Sequence, residues 1–239
     1  MNNKVYIFDV DGTLTPPRQQ ATKEFLSFFE TWAKENTFYL CSGSDLEKIK
    51  EQLPESILNL ASGVFACMGN AFYVDKEKIY QKDFIAPEGF ERYLSSKLEH
   101  SKFPLRTGNH IEKRIGMWNF SIVGRNATLE ERKKYYVWDQ SANERETAVE
   151  EINRMFPEVS ATAGGEISID LNHPGQDKSQ VAREILKINP DASLVFIGDR
   201  TLPGGNDYAL AKEITTNYLG VSIQTESWKE TITILKTLT

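Results

Sequence analysis

Cysteine and histidine are scarce: two cysteines and three histidines in 239 residues. Cys41 and Cys67 cannot form the disulfide framework of a small secreted scaffold, and each sits in an apolar, strand-like run, as a buried thiol in a reducing compartment would. His100, His110 and His173 share no metal-ligand spacing, so zinc is a poor match and they read as surface or packing residues. A basic excess is also lacking. With a net charge of −6 the chain has no footprint for nucleic acid, although a local basic pocket stays open. No apolar run could span a bilayer, so no membrane partner is expected. The first strand starts too near the N-terminus to leave room for a signal peptide, and a cytoplasmic location is the expectation. Repeats and low-complexity tracts are absent. The remaining composition, 40% hydrophobic and 26% charged, is that of an ordinary globular protein with one large core or two smaller ones.

The most informative stretch is 4–16, KVYIFDVDGTLTP. Val5, Tyr6, Ile7 and Phe8 are apolar without alternation, as in a strand buried on both faces of a parallel sheet. The run ends in Asp9-Val10-Asp11-Gly12-Thr13, where two carboxylates one residue apart meet a turn-forming glycine. Open parallel sheets bind ligands at the carboxyl ends of their strands.

Down the chain, Phe25, Phe28, Phe29 and Trp32 have helical spacing, predicting a helix within 21–35 whose aromatics are core. A strand at 38–41 runs into Ser42-Gly43-Ser44-Asp45, small and hydroxyl residues suited to a helix start. That helix continues to Pro54. A third apolar stretch, 63–68, leads to a hairpin through Tyr73 and Tyr80. From about Lys82 the strand–turn–helix alternation stops. A helix opening at Pro87 is followed by strands around 110–114 and 118–123, helices near 129–136 and 145–156, and strands at 159–162 and 167–171. The alternation returns at Asp177, with a helix over 178–188, a strand at 193–197, the loop Gly198 to Asp207, and a final strand and helix. The pattern predicts an α/β domain from 1–81 and 176–239, interrupted by an inserted α+β module at 82–175.

Separate loops carry complementary chemistry: Asp9 and Asp11, Ser42, Lys178, then Asp199 and Asp207. Converging carboxylates repel one another unless a cation neutralises them. Hard oxygen ligands with room for water and phosphate point to Mg²⁺. A lysine and a hydroxyl beside that metal suit a phosphoryl group, and an aspartate can itself be the nucleophile. Each loop alone has a plainer reading: Ser42 as a helix cap, Lys178 as surface charge, Gly204-Gly205 as a turn. Arg114, Arg125 and Arg132 could make a local anion pocket, although Arg132 also fits the solvated charge run 130–134.

The D-x-D-G-T turn, the later serine, the lysine and the G-D…N-D loop resemble the four signature loops of the haloacid dehalogenase superfamily. FDVDGTLTPPRQ, GSDLEKIKEQL, GGEISIDL, QDK and GDRTLPGGND resemble, within it, the eukaryotic-type phosphomannomutases over nearly the whole chain. The resemblance implies a doubly wound, Rossmann-like core with an inserted α+β cap, and an enzyme interconverting mannose 6-phosphate and mannose 1-phosphate, glucose phosphates remaining open. It implies Asp9 as nucleophile and Asp11 as general acid/base. Asp9, the Asp11 backbone carbonyl and Asp199 would bind Mg²⁺, supported by Asn206 and Asp207. Ser42, with Ser44 as the alternative, and Lys178 would hold the phosphoryl group. Arg18 matches an arginine near the active site. Arg114, Arg125 and Arg132 match arginines gripping the distal phosphate, and Ser168 and Asp170 match positions contacting that phosphate and the sugar hydroxyls. A hexose phosphate is the implied substrate, a hexose bisphosphate the activator, and a homodimer through the cap an option. Trp118, Ile122, Lys113 and the stretch 172–175 depart from the family pattern and leave the hexose open.

Three other readings compete. A sugar-phosphate phosphatase would use the same parts and pass the phosphoryl group to water. A phospho-accepting signalling domain also sets aspartates and a lysine on a parallel sheet, but the large insertion and an acid/base at Asp11 count against it. A catalytically silent binding protein is disfavoured while all four loops keep their chemistry.

Overall fold

The computed structural model describes residues 3–238. The chain first forms β1 (Lys4–Phe8), α1 (Lys23–Ala33), β2 (Phe38–Cys41), α2 (Leu46–Gln52), α3 (Glu55–Leu60), β3 (Gly63–Ala66), β4 (Ala71–Val74) and β5 (Glu77–Gln81). Next come α4 (Phe90–His100), β6 (Ile111–Arg114), β7 (Met117–Phe120), α5 (Leu129–Ala142), α6 (Glu144–Met155), β8 (Ser160–Gly164) and β9 (Ser168–Asn172). It closes with α7 (Gln180–Ile188), β10 (Ser193–Gly198), α8 (Tyr208–Thr216), β11 (Gly220–Gln224) and α9 (Trp228–Leu238). Two compact units result. One comprises the chain up to Gln81, Gln176–Pro203 and the chain from Asp207 on; the other comprises Lys82–Gly175 with Gly204–Asn206.

In the first unit a seven-stranded sheet has the order β11-β10-β1-β2-β3-β4-β5. Pairing is parallel from β11 to β3, and β4 and β5 add an antiparallel edge. The unbroken apolar run of β1 follows from coverage on both faces. Tyr6 and Phe8 point to α1, where Phe8 meets Phe29 and Trp32 edge-on at 5.3 and 5.5 Å. Val5 and Ile7 point the other way, into a cluster with Val181, Ile185, Phe196 and Leu210. Each such buried side chain contributes about 1.5–3 kcal/mol, and Phe29→Ala alone would cost about 3–5 kcal/mol. The strand order reverses at β1: the chain moves outward through β2 and β3, then returns to β10 on the other side. That reversal opens a crevice at the carboxyl ends of β1 and β10, where α/β sheets take their ligands.

The second unit has a four-stranded antiparallel sheet, β6-β7-β9-β8. Trp118, Phe120, Ile169 and Leu171 face one side and pack with Phe90, Leu94, Tyr135 and Ile152 of α4 to α6. Alternate positions, among them Asn119, Ser168 and Asp170, face the other side; they are polar and buried as well.

Local expectations fail in four places. The apolar stretch 63–68 is strand only to Ala66; Cys67 and Met68 turn left-handed, with φ of 51° and 62°. Pro54 does stop α2, which ends at Gln52, but it is also the N-cap of α3, a helix missing from the sequence reading. The second helix starts at Leu46, capped by Asp45, whose carboxylate accepts from Lys48 N at 2.9 Å, so Ser42 precedes the cap instead of starting the helix. The strand expected over 118–123 ends at Phe120. Among the described residues no helix is long and apolar enough to cross a membrane.

Candidate active site

Register brings the site together. Phe8 pairs with Ile197 on one side and Leu40 on the other, so Asp9, Ser42 and Asp199 leave the sheet at the same end. Asp9 N donates to Ile197 O at 3.0 Å, holding the turn to the neighbouring strand. Gly12 has φ +81°, and a Cβ there would lie 2.5 Å from Asp199 Oδ2. Only glycine satisfies both conditions. Gly198 is hemmed in likewise, since its Cβ would lie 2.6 Å from Asp207 Oδ2.

Lys178 sits just ahead of α7 and is completely buried. Its Nζ donates to Asp9 Oδ1 and to Asp207 Oδ1, both at 2.6 Å. Burial alone would pull the ammonium's pKa down; the charges of Asp207 and Asp9 outweigh it and hold the value well above the ordinary lysine range. Asp207 Oδ2 also accepts from Arg200 N at 3.2 Å, which closes the loop after β10. Burial, followed by the charge of Asp207, raises the pKa of Asp9 well above normal against the opposing pull of Lys178. The same two causes push Asp199 up to about 6.

Carboxylate oxygens of Asp9, Asp199 and Asp207 come within 4.8 Å of one another. Lys178 contacts two of the three; Arg200 Nε stands 3.8 Å from the third. Asn206, one residue before Asp207, has a buried Oδ1 that accepts no hydrogen bond. A set of three carboxylates, with the pKa values of Asp9 and Asp199 raised by burial and by Asp207, fits a hard divalent cation such as Mg²⁺. The Asp11 carboxylate is occupied elsewhere: its Oδ1 accepts from Arg18 N and from Gln52 Nε2, both at 2.7 Å. Arg18 therefore touches Asp11 through its backbone amide, in a left-handed turn with φ 58°. Ser42 is buried, and its Oγ accepts from Ser44 N at 3.0 Å. Cys41, one residue earlier, is inert, burial having pushed its thiol up to about 12.

On the second unit, Glu112 Oε2 accepts from Arg114 Nη2 at 2.7 Å and from Arg125 Nε at 2.9 Å. Arg125 Nη1 donates to Ser168 Oγ at 2.7 Å, and Asn119 Nδ2 donates to Asp170. Arg132 directs Nε to Ala127 O and Nη2 to Arg125 O, bracing the segment that carries Arg125. The structure thus gathers Arg114, Arg125, Ser168 and Asp170 on one polar face, with Arg132 behind them.

Glu112, Asn119 and Gln52 escaped sequence reasoning. Glu112 had a signal, since it stands two residues before Arg114 and so shares its strand face. Gln52 had none: its partner Asp11 is 41 residues away.

A family model described as eukaryotic phosphomannomutase matches residues 25–239. The match begins after the Asp9 turn, so the reading of that turn rests on its geometry. The chain is 34% identical over 223 residues to a phosphomannomutase of Spinacia oleracea, covering 90% of this chain and 89% of that one. It is 36% identical over 218 residues to a phosphomannomutase of Dendrobium officinale, covering 88% and 85%. Among solved structures, the C-terminal domain of C. albicans trehalose-6-phosphate phosphatase superposes with a TM-score of 0.69 at 15% identity, over 99% of this chain and 92% of that one; the likeness is one of fold.

Proposed function

The chain belongs to the eukaryotic phosphomannomutase family, and from that membership we propose that it interconverts mannose 6-phosphate and mannose 1-phosphate. The observation carrying this reading is the buried Asp9–Lys178–Asp207 array at the carboxyl ends of β1 and β10, with Asp11 held next to it. Such an array suits phosphoryl transfer, which needs positioning and charge neutralisation above all.

Asp9 is the nucleophile: a carboxylate oxygen forms a bond to phosphorus as the bond from phosphorus to the sugar oxygen breaks. Asp11 gives its proton to the departing sugar oxygen, and later takes the proton from the sugar hydroxyl that accepts the phosphoryl group. Two hydrogen bonds on Asp11 Oδ1, from Arg18 N and Gln52, fix that carboxylate for the exchange. Lys178 and Ser42 hold the group in transfer. Asp9, the Asp11 carbonyl and Asp199 would bind Mg²⁺, with Asn206 and Asp207 supporting them. When bound, the ion supplies the positive charge that lets a phosphate approach these carboxylates. Arg18, Arg114, Arg125, Ser168 and Asp170 take the rest of the substrate, Arg132 acting through Arg125. A hexose bisphosphate serves as activator by placing the first phosphoryl group on Asp9.

The test is a product analysis. Mannose 1-phosphate, catalytic hexose bisphosphate and Mg²⁺ should yield hexose 6-phosphate with little free phosphate. Free phosphate as the main product would favour a phosphatase, and glucose 1-phosphate in parallel measures hexose preference.

A further inference from the structure

Arg114 and Arg125 both direct a guanidinium N–H at the carboxylate of Glu112. Glu112 and Arg114 lie two apart on β6 and share a face, and β6 pairs with β7 through Glu112 opposite Asn119. One atom, Glu112 Oε2, takes a hydrogen bond from each arginine. Burial pushes the Glu112 carboxyl up, but the hydrogen bonds and charges of Arg114 and Arg125 overcome it and hold the group at about 2, so it stays ionised at any working pH. The charge of Asp170 reaches Arg125 as well. Glu112 and Asp170 thus set two carboxylate charges against the guanidinium charges of Arg114 and Arg125.

We infer that Glu112 is a counter-charge that competes with the substrate's phosphate for Arg114 and Arg125, keeping their grip loose enough for a bound hexose bisphosphate to release and turn end for end. The inference rests on the reading that this face receives the phosphate not in transfer. A phosphate arriving there exchanges places with the carboxylate, so hydrogen bonds are traded and not simply gained. Arginines without a competitor would hold a dianion tightly, which suits an enzyme that binds once. An enzyme whose intermediate must present first one end and then the other needs a hold that can be undone. The carboxylate also keeps both forks ordered while the phosphate is away.

The experiment measures the dissociation constant of glucose 1,6-bisphosphate by calorimetry, with kcat and KM for mannose 1-phosphate. Glu112→Gln keeps an acceptor oxygen and removes the charge; it should tighten the bisphosphate about tenfold and lower KM and kcat together, because release becomes slow. Glu112→Ala, which requires no fit of an amide, should tighten it as well. Glu112→Asp keeps the charge and should stay within about threefold of the parent. Unchanged or weaker binding in both charge-removing variants overturns the inference. Arg125→Met separates the two levels of the argument. If it weakens the bisphosphate while neither charge-removing variant tightens it, the inference alone fails. If Arg125→Met binds like the parent, the reading of this face as a phosphate site fails and takes the inference with it.

Discussion

A Cβ on Gly12 would stand 2.5 Å from Asp199 Oδ2, and Gly12 is already at φ +81°, where side chains are strained. The turn that aims Asp9 and Asp11 therefore has the Asp199 carboxylate directly behind it. Gly12→Ala should cost about 1–3 kcal/mol in backbone strain and displace Asp199. The concentration of Mg²⁺ needed for half-maximal activity should rise about tenfold or more, and the melting temperature should fall. A variant with normal Mg²⁺ dependence would show that Asp199 needs no such closeness.

The two carboxylates of the turn should separate by rapid quench with labelled bisphosphate. Asp9→Asn removes the attacking oxygen's charge and should abolish both phosphoenzyme and turnover. Asp11→Asn should still label, while transfer to the sugar slows about a hundredfold or more. Labelling of the Asp9 variant would move the nucleophile elsewhere.

Lys178 is the cation between two buried carboxylates, so Lys178→Met should destabilise the protein by about 3–5 kcal/mol in urea unfolding with chelator present. The pH dependence has a definite sign. Burial and Asp207 already raise the folded-state pKa of Asp9, and without the lysine it rises further. A carboxyl whose folded pKa exceeds its unfolded one favours folding most at low pH and loses that contribution as pH increases. The deficit of the variant should therefore shrink between about pH 8 and about pH 5. A deficit independent of pH would mean that the lysine acts by packing alone.

Much of the fold was legible because covered sheets write themselves into composition: β1 is apolar without a break from Val5 to Phe8 since both its faces are covered. The meeting of Asp9 and Asp199 was legible from the rule that parallel strands deliver their loops to one end, whereas Lys178, ahead of α7, was expected there from the resemblance. Other features leave no such trace. Apolar continuity through Cys67 and Met68 says nothing of φ, so a left-handed turn looked like strand. Pro54 ends one helix and caps the next, and a six-residue helix with Ile57 as its buried residue has too little periodicity to register. The Gln52–Asp11 hydrogen bond links elements whose relation depends on packing. Arg132 resembled either a phosphate ligand or a solvated charge, and bonds to two backbone carbonyls.

Magnesium should act as a stabiliser as well as an activator. With Mg²⁺ at about a hundred times its dissociation constant, the melting temperature should rise about 5–10 °C. Burial and Asp207 hold Asp199 at about 6, so protons compete with the ion below that pH. The Mg²⁺-dependent rise should thus be full near pH 8 and largely gone near pH 5. A rise of equal size at both would place the ion away from Asp199.

The second unit decides between mutase and phosphatase. Arg125 Nη1 is bonded to Ser168 and Nε to Glu112, and Arg132 reaches the carbonyl of Arg125. Arg125→Met keeps part of the stem packing and removes the charge. A charge-assisted hydrogen bond lost from such a site costs about 1.5–3 kcal/mol, so mutase turnover at low bisphosphate should fall by about tenfold to a hundredfold. Arg132→Met should lose turnover through a loosened Arg125 and should also lower the melting temperature, because two backbone carbonyls lose their donor. Hydrolysis of a small aryl phosphate depends on Asp9, Lys178 and Asp11 and should fall far less in either variant. Selective loss of mutase turnover supports a two-phosphate enzyme. Equal loss of both activities would assign these arginines to the integrity of the whole protein, and no loss of either would remove them from the mechanism and favour transfer to water.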